Sequence, residues 1–93
     1  MINTVILTDR VQRQLLKVPR HIAEKLLEWR DAMEASGLEV VRLVRGYHDE
    51  PLHGRREGQR SLRLSLSYRA VYVVVAMDRV TLARVEEVTK HGY

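Results

Sequence analysis

Residues 61–88 read SLRLSLSYRAVYVVVAMDRVTLARVEEV, and this stretch decides the fold. From Ser61 to Ser67, leucine alternates with serine or arginine, which is the two-residue period of a strand with one buried face. Ala70–Ala76 is almost continuously apolar, which indicates a central strand covered on both faces or nearly so. Val80–Val88 forms a third strand. The short connections between these strands favour antiparallel hairpins, so the stretch predicts an antiparallel meander.

The residues before the meander predict one strand and two helices. Ile2–Leu7 is rich in β-branched residues, as strands are, and Thr8 or Asp9 can cap the helix that follows. Pro19 breaks that helix and can begin the next one, and Ser36-Gly37 ends the second. Apolar residues recur at helical spacing in both segments: Val11, Leu15 and Val18 in the first, and Ile22, Leu26, Trp29 and Met33 in the second.

The segment from Leu38 to Gly54 fits two patterns, and we interpret its first part as a short helix or an irregular turn that Gly46 ends. A strand can begin at Pro51, and Glu57-Gly58-Gln59 supplies a hairpin turn. The predicted fold class is therefore α+β, with an N-terminal strand and a helical hairpin packed on a small antiparallel sheet of three or four strands. The helices cover one face, and the other face carries Arg63 and its neighbours.

Length and composition limit the function classes. The 93 residues suit a single domain spanning 1–93. No cysteine is present, so disulfides and thiolate metal sites are excluded, which fits a cytoplasmic location. No signal peptide is evident, and no apolar stretch approaches the ~20 residues of a membrane span, so no membrane association is expected.

The positive charge is concentrated in the second half of the chain. Residues 1–41 carry six basic and six acidic side chains, whereas residues 42–93 carry ten basic and six acidic ones. Nine of those ten cations are arginines, whose planar fork of donors matches phosphate geometry better than lysine does. A solvated strand surface would also explain them. Because the arginines bunch in one segment, we favour a phosphate-binding face.

The predicted strand order brings distant polar residues to one edge of the sheet. Arg63 and Arg69 flank one hairpin turn, and pairing of the last strand with Ala70–Ala76 places the chain end KHGY near Arg69. Glu50 and His53 precede the first hairpin strand and can reach the same edge. A carboxylate, a histidine, a tyrosine and several guanidiniums are the groups that phosphodiester cleavage by a neighbouring 2′-hydroxyl needs, without a metal or other cofactor.

Each of these residues also has an ordinary explanation. His91 fits a surface histidine, Tyr93 a ring on the core edge, Glu50 a partner for nearby arginines, and Arg69 a solubilising charge. His48 and His53 lack a third ligand and regular spacing, so no metal site is predicted. The residues taken alone therefore indicate a small basic α+β domain that binds nucleic acid. They do not indicate an enzymatic activity.

Four motifs in this order resemble the RelE/ParE superfamily of bacterial toxins, and most of all its RelE, YoeB and HigB branches. They are EPL before a glycine-containing hairpin, RLS on one strand, YRAVY opening the next, and a terminal histidine with an aromatic neighbour. The most specific part runs from Glu50 to Tyr93. The resemblance covers the whole chain in element order and implies a ribosome-dependent endoribonuclease that cleaves mRNA in the ribosomal A site.

The resemblance also implies roles for single residues. Glu50 looks like the general base, Arg69 like the arginine that stabilises the pentavalent phosphate, and His91 like the general acid, or the base if Glu50 lies too far away. Tyr93 looks like the aromatic residue that orients the scissile nucleotide. Further cations look like contacts to phosphate or to 16S ribosomal RNA: Arg55, Arg56, Arg60, Arg63 and Lys90.

One departure from the family pattern and two other functions stay open. The YoeB-like ending has tyrosine directly after histidine, whereas here Gly92 separates them, and adjacent strand residues point to opposite faces. Tyr47 or Tyr68 can supply a stacking ring instead. The alternatives are a ParE-like toxin that poisons DNA gyrase without nuclease activity, and a catalytically silent relative that only binds RNA or an antitoxin. The family implies a cognate antitoxin protein as partner.

Overall fold

The structure, a computed structural model, describes residues 1–77 and 79–90 and confirms the α+β class. Five strands form one sheet in the order β1-β5-β4-β3-β2. The strands are β1 Val5–Leu7, β2 Glu50–Pro51, β3 Gln59–Arg63, β4 Tyr68–Met77 and β5 Val80–Lys90. The helices are α1 Asp9–Leu15, α2 Arg20–Ser36 and α3 Leu38–Val41, and 3-10 turns lie at Arg45–Tyr47 and Gly54–Arg56.

The predicted meander is confirmed, and the first strand joins it from the side. Each of the pairs β2–β3, β3–β4 and β4–β5 is antiparallel. The strand β1 pairs with β5 in parallel, with Val5 opposite Ala83, so the sheet is mixed. Beyond β1, the helix α1 follows the same edge, and the Gln14 side-chain oxygen accepts the Val88 N–H at 2.7 Å.

The two predicted helices and the apolar stripe of the second are confirmed, and the first helix ends at Leu15, before Val18. The Thr8 hydroxyl caps α1 by accepting from Val11 N at 3.2 Å, and Pro19 is the N-cap of α2. Ile22, Leu26, Trp29 and Met33 are all 0% exposed. The Trp29 ring lies 5.3 Å from the Tyr72 ring on β4. Burial of this stripe against the sheet is what holds the helical layer to it.

The helix α2 ends at a glycine for a steric reason. Gly37 has a φ of +83°, which side chains other than glycine rarely adopt. A Cβ at this position would also meet the Met1 side chain at 2.5 Å. The Gly37 N–H still donates to Met33 O at 2.8 Å, so the end of the helix keeps its hydrogen bond.

Several element boundaries in the structure differ from the predicted ones. The strand predicted for Ser61–Ser67 ends at Arg63, because the Ser65 hydroxyl accepts from Ser67 N and Tyr68 N and forms a turn. Leu66, predicted to face inward, is therefore 86% exposed. The segment interpreted as a short helix or an irregular turn up to Gly46 contains the short helix α3, which ends at Val41, and β1 begins at Val5 instead of Ile2.

The strand β4 is central, but only its first half is covered on both faces. Ala70, Val71 and Tyr72 are 0% exposed, whereas Val74 and Met77 are 39% and 49% exposed. The helices therefore cover the part of the sheet where β3 pairs with β4, and the far end of the β4–β5 hairpin extends past them. No helix in the described part of the chain is long and apolar enough to cross a membrane.

Candidate active site

Two consecutive carboxylates, Asp49 just before β2 and Glu50 at its first residue, point to opposite faces of the sheet. Glu50 pairs with Ser61, and Pro51 pairs with Arg60. Because side chains alternate along a strand, Glu50 shares the face that the helices leave uncovered, which we call the outer face. Asp49 reaches toward the helical layer instead. The pairs Arg63–Arg69 and Ser61–Val71 place these residues on the outer face as well.

On the outer face, Glu50, Ser61 and Arg69 form what we call the outer cluster. The Arg69 Nη1 group donates to Glu50 Oε1 and to Ser61 Oγ, at 3.1 Å in both cases. The Arg69 side chain is 11% exposed and that of Glu50 is 44% exposed. The guanidinium is thus held in place while the carboxylate remains open to solvent. Arg63 lies directly across the hairpin from Arg69.

The charges of the outer cluster keep Glu50 ionised. The hydrogen bond from Arg69 lowers the pKa of Glu50 below its ordinary value of 4.5, and the nearby His48 acts in the same direction. Partial desolvation opposes both effects without reversing them. Glu50 is therefore a carboxylate near neutral pH and can accept a proton.

His48 is a further neighbour of this carboxylate. Its Nε2 atom lies 3.4 Å from Glu50 Oε2, on the oxygen that Arg69 does not use. The His48 backbone has φ 44° and ψ 49°, the left-handed region that residues other than glycine seldom occupy. This conformation turns the chain out of the Arg45–Tyr47 turn and directs Asp49 and Glu50 to the sheet edge.

Asp49, Arg60 and Tyr72 form a second group, which we call the buried cluster. The Asp49 side chain is 0% exposed, and its Oδ1 accepts from Arg60 Nε at 2.8 Å. The Tyr72 hydroxyl donates a short hydrogen bond to Asp49 Oδ2. Burial and then the bond to Asp49 raise the pKa of Tyr72, so the phenol keeps its proton. Each oxygen of a buried carboxylate thus has a partner.

A third acidic group, Glu87, lies beside the outer cluster. Its carboxylate, 15% exposed, pairs with Arg56 at 2.8 Å and with Arg10 of α1 at 3.4 Å. A register shift between Val71 and Tyr72 adds a residue to β5, so that Glu87 lies opposite Val71 while Val85 lies opposite Tyr72 and faces the core. The bulge thereby keeps Glu87 on the outer face and Val85 on the face that packs in the core.

The remaining predicted cations lie in different surroundings. Lys90 pairs with Tyr68 at the start of β4, and its Nζ lies 5.9 Å from the centre of the Tyr68 ring. This places the end of β5 beside Arg69, as the strand order predicts. Arg55 is exposed in the turn before β3. Arg60 points into the buried cluster, away from the outer face.

The predictions for the aromatic and histidine residues have different outcomes. His91 and Tyr93 lie outside the described residues, so their proximity to the outer cluster stays a prediction. Tyr47 is 6% exposed and packs under Lys25 Nζ at 5.1 Å, which leaves its ring no face for a base. His53 is exposed next to the turn before β3. Within residues 1–77 and 79–90, no three His, Asp or Glu side chains are grouped to hold a metal ion.

Comparison with solved structures identifies the fold of this chain. No family model matches the sequence, and no curated protein matches it. Solved structures do match over nearly the full length of both chains. The archaeal RelE–RelB complex from Pyrococcus horikoshii has a TM-score of 0.71 at 23% identity, over 99% of this chain and 98% of the other.

Bacterial structures agree with the archaeal one. A YoeB/ParE toxin from Agrobacterium tumefaciens matches with a TM-score of 0.70 at 17% identity, over 96% of this chain and 99% of that one. A RelBE toxin–antitoxin complex from Mycobacterium tuberculosis matches with a TM-score of 0.68 at 23% identity, over 98% and 100%. This chain has the RelE/YoeB toxin fold. The resemblance inferred from the four motifs is therefore confirmed at the level of architecture.

Some residues of the outer and buried clusters of this RelE/YoeB fold were not predicted from the sequence. Ser61 was placed on the outer face by alternation but given no role, and His48 was considered only as a metal ligand. The signal for His48 is its two-residue separation from Glu50. Asp49 gave no signal of its own, because nothing in the sequence shows that its side chain would turn inward to Arg60 and Tyr72.

Proposed function

We propose that this chain is the toxin of a type II toxin–antitoxin system and an endoribonuclease that cleaves mRNA in the ribosomal A site. The RelE/YoeB fold supports the general class, since solved relatives with this fold are toxins and several are complexes with antitoxins. The single observation that carries the proposed chemistry is the outer cluster. It joins a solvent-open carboxylate to a fixed guanidinium on the uncovered face of the sheet.

The cluster suits cleavage by the neighbouring 2′-hydroxyl. Glu50 takes the 2′-OH proton, the 2′-oxygen forms a bond to phosphorus, and the bond from phosphorus to the 5′-oxygen breaks. The products are a 2′,3′-cyclic phosphate and a 5′-hydroxyl, to which a general acid, proposed as His91, gives a proton. No metal is needed in this scheme. Tyr93 is proposed to orient the nucleotide.

Arg69 is suited to stabilise the charge that builds on phosphorus. Its hydrogen bonds to Glu50 and Ser61 both come from Nη1, and a guanidinium has five N–H donors. The same side chain can therefore hold the carboxylate and donate to a phosphate oxygen. When phosphate competes for Arg69, the interaction that lowers the pKa of Glu50 weakens, and Glu50 becomes a stronger base.

The surrounding cations are proposed to hold RNA. Arg63 lies across the hairpin from Arg69, Lys90 lies at the end of β5 beside Arg69, Arg56 is oriented by Glu87, and Arg55 is exposed in the turn before β3. Binding to mRNA and 16S ribosomal RNA through these side chains would fall steeply with salt, because counterions are released. Arg60 is a weaker candidate for this role, since its Nε donates to the buried Asp49. The proposed site of action is the cytoplasm, with a cognate antitoxin protein as the inhibitor.

The test is mRNA cleavage by the purified protein on programmed ribosomes, read by primer extension. We expect Arg69→Ala to slow single-turnover cleavage by about 10²–10³-fold, the usual loss when one donor to a developing anion is removed. Arg79→Ala is the matched control, because Arg79 is an exposed arginine at the opposite end of the β4–β5 hairpin. It should cleave like the wild type.

The same preparation separates the other two functions. Intact mRNA together with inhibited DNA supercoiling would replace this proposal by a ParE-like gyrase toxin. Intact mRNA with normal supercoiling and retained RNA or antitoxin binding would indicate a catalytically silent relative. Equal cleavage by Arg69→Ala and Arg79→Ala would remove Arg69 from the mechanism.

A further inference from the structure

The strand that carries Glu50 has little to hold it. It spans only Glu50–Pro51 at the edge of the sheet, and Pro51 has no N–H to give to the ladder. Just beyond it, Leu52 N donates to Gln59 O at 2.9 Å. A short edge segment of this kind frays readily. Yet Glu50 must stay within hydrogen-bond distance of Arg69 for the outer cluster to exist.

The buried cluster supplies an attachment one residue earlier. The Asp49 carboxylate, with no exposed surface, bonds to Arg60 on β3 and to the Tyr72 hydroxyl on β4. It therefore ties the edge segment to two successive strands at once. Charge-assisted hydrogen bonds of this kind are about twice as strong as those between neutral groups.

The attachment extends to the centre of the core. Tyr72 is 0% exposed, and its ring packs against that of Trp29 on α2. Tyr72 thus has a fixed position before Asp49 bonds to it. Consecutive Cα atoms lie about 3.8 Å apart, so a fixed Asp49 leaves the next residue little freedom. Alternation then directs Glu50 to the outer face.

We infer that Asp49, held by Arg60 and Tyr72, is a positioning residue that sets the Glu50 carboxylate against Arg69 and Ser61. Asp49 touches no substrate in this arrangement and acts only through Glu50. Its effect on cleavage rests on the proposed function, whereas its effect on the geometry of Glu50 does not. The two are therefore tested separately.

The first test needs no ribosome. The Glu50 side-chain carboxyl is titrated by NMR in the wild type, Asp49→Asn and Tyr72→Phe. If Asp49 positions Glu50, both variants weaken the contact with Arg69, and the pKa of Glu50 rises toward 4.5, its ordinary value. We expect the larger rise in Asp49→Asn and a smaller one in Tyr72→Phe, which keeps the ring and loses one hydrogen bond.

The direction of the shift separates positioning from a simple charge effect. Removing the negative charge of Asp49, and leaving Arg60 without its partner, would by itself stabilise a nearby carboxylate and lower the pKa of Glu50. A rise therefore reports the lost contact with Arg69, and His48 is unchanged in every variant. If the pKa of Glu50 is unchanged or lower in both variants, the inference is overturned.

Tyr47→Phe is the matched control. Tyr47 is also a buried tyrosine. It lies two residues before Asp49 in the chain and has no bond to it. It should leave the titration of Glu50 at the wild-type position. If Asp49→Asn does not fold, Tyr72→Phe decides the question alone, provided that its amide spectrum shows the native fold.

The second test measures cleavage on ribosomes. A displacement of about 1 Å can slow a reaction by about 10²-fold, so we expect Tyr72→Phe and Asp49→Asn to slow the single-turnover step with ribosome affinity unchanged. Tyr47→Phe should cleave normally. Normal cleavage by both cluster variants would overturn the inference. If the wild type does not cleave mRNA, the proposed function fails, and the NMR titration still decides the role of Asp49.

Discussion

Asp49 and Glu50 are consecutive residues of the same charge, and the fold gives them opposite environments. The Asp49 side chain is 0% exposed and has partners for both oxygens. The Glu50 side chain is 44% exposed, and its bonds go to groups on the outer face. The Asp49 carboxylate therefore has a structural role, whereas the Glu50 carboxylate is open to exchange protons with solvent or, in the proposed function, with substrate.

The comparison shows that residue type does not define a functional acid. For the chemistry proposed above, a carboxylate needs a solvent-open face and a cationic partner, and Glu50 has both, with Arg69 as the partner. Asp49 has the same chemistry but no access. Two residues joined by one peptide bond therefore differ completely in solvent access.

The largest test of this contrast compares the two acids by alanine substitution. Asp49→Ala leaves Arg60 and the Tyr72 hydroxyl without their partner, so we expect a loss of about 3–5 kcal/mol in the free energy of unfolding. Glu50→Ala should lose about 1 kcal/mol or less, because a half-exposed pair contributes little. Urea denaturation at neutral pH measures both. Equal losses in the free energy of unfolding would mean that Asp49 contributes no more to stability than Glu50 does.

A second test compares two leucines that the sequence pattern treats as equivalent. Leu64 is 5% exposed and belongs to the core, whereas Leu66 is 86% exposed in the turn formed by Ser65. We expect Leu64→Ala to lower the free energy of unfolding by about 2–5 kcal/mol and Leu66→Ala to change it by less than about 0.5 kcal/mol. Similar losses of stability at both positions would instead support the longer strand, Ser61–Ser67, that the sequence pattern predicts.

The smallest expected effect is the pH dependence that Glu50 contributes. Because the bond from Arg69 lowers its pKa in the folded state, Glu50 contributes stability that is fully present above its unfolded value near 4.5 and is lost as the pH falls through the lower folded value. The stability difference between wild type and Glu50→Gln should be about 0.2–1 kcal/mol at pH 6, as for exposed pairs.

That difference should shrink as the pH is lowered from 6 to 3, as measured by urea denaturation at each pH. Arg69→Ala is the control, since it removes the main cause of the lowered pKa and should reduce the pH-dependent part of the difference to the smaller contribution of His48. A difference that stays constant over this range would show that Glu50 and Arg69 are not paired in solution.

Much of the fold was predictable because its signals are local. The stripe from Ile22 to Met33 fits the helical period and is buried, and the continuous apolar run from Ala70 to Ala76 indicates a central strand, of which the structure buries the first half. The end of β3 was not predictable in this way. The Leu62, Leu64 and Leu66 alternation continues past the strand, and only the Ser65 hydrogen bonds show where the turn begins.

The candidate site was predictable in part. Arg63 and Arg69 lie opposite each other, as the hairpin requires. Glu50 accepts a hydrogen bond of 3.1 Å from Arg69. The roles of His91 and Tyr93 stay predictions. Arg60 shows the limit of reasoning from charge, because an arginine in a basic segment has turned toward a buried acid.

The sequence by itself determined the order of helices and strands, the hairpin pairing and the collection of arginines in the second half. These follow from periodicity and composition, which act over neighbouring residues. Only the tertiary structure decided that Asp49 is buried with Arg60 and Tyr72 while Glu50 meets Arg69 and Ser61. These four partners lie on β3 and β4, and the faces that those strands share with β2 are set when the meander packs against α2.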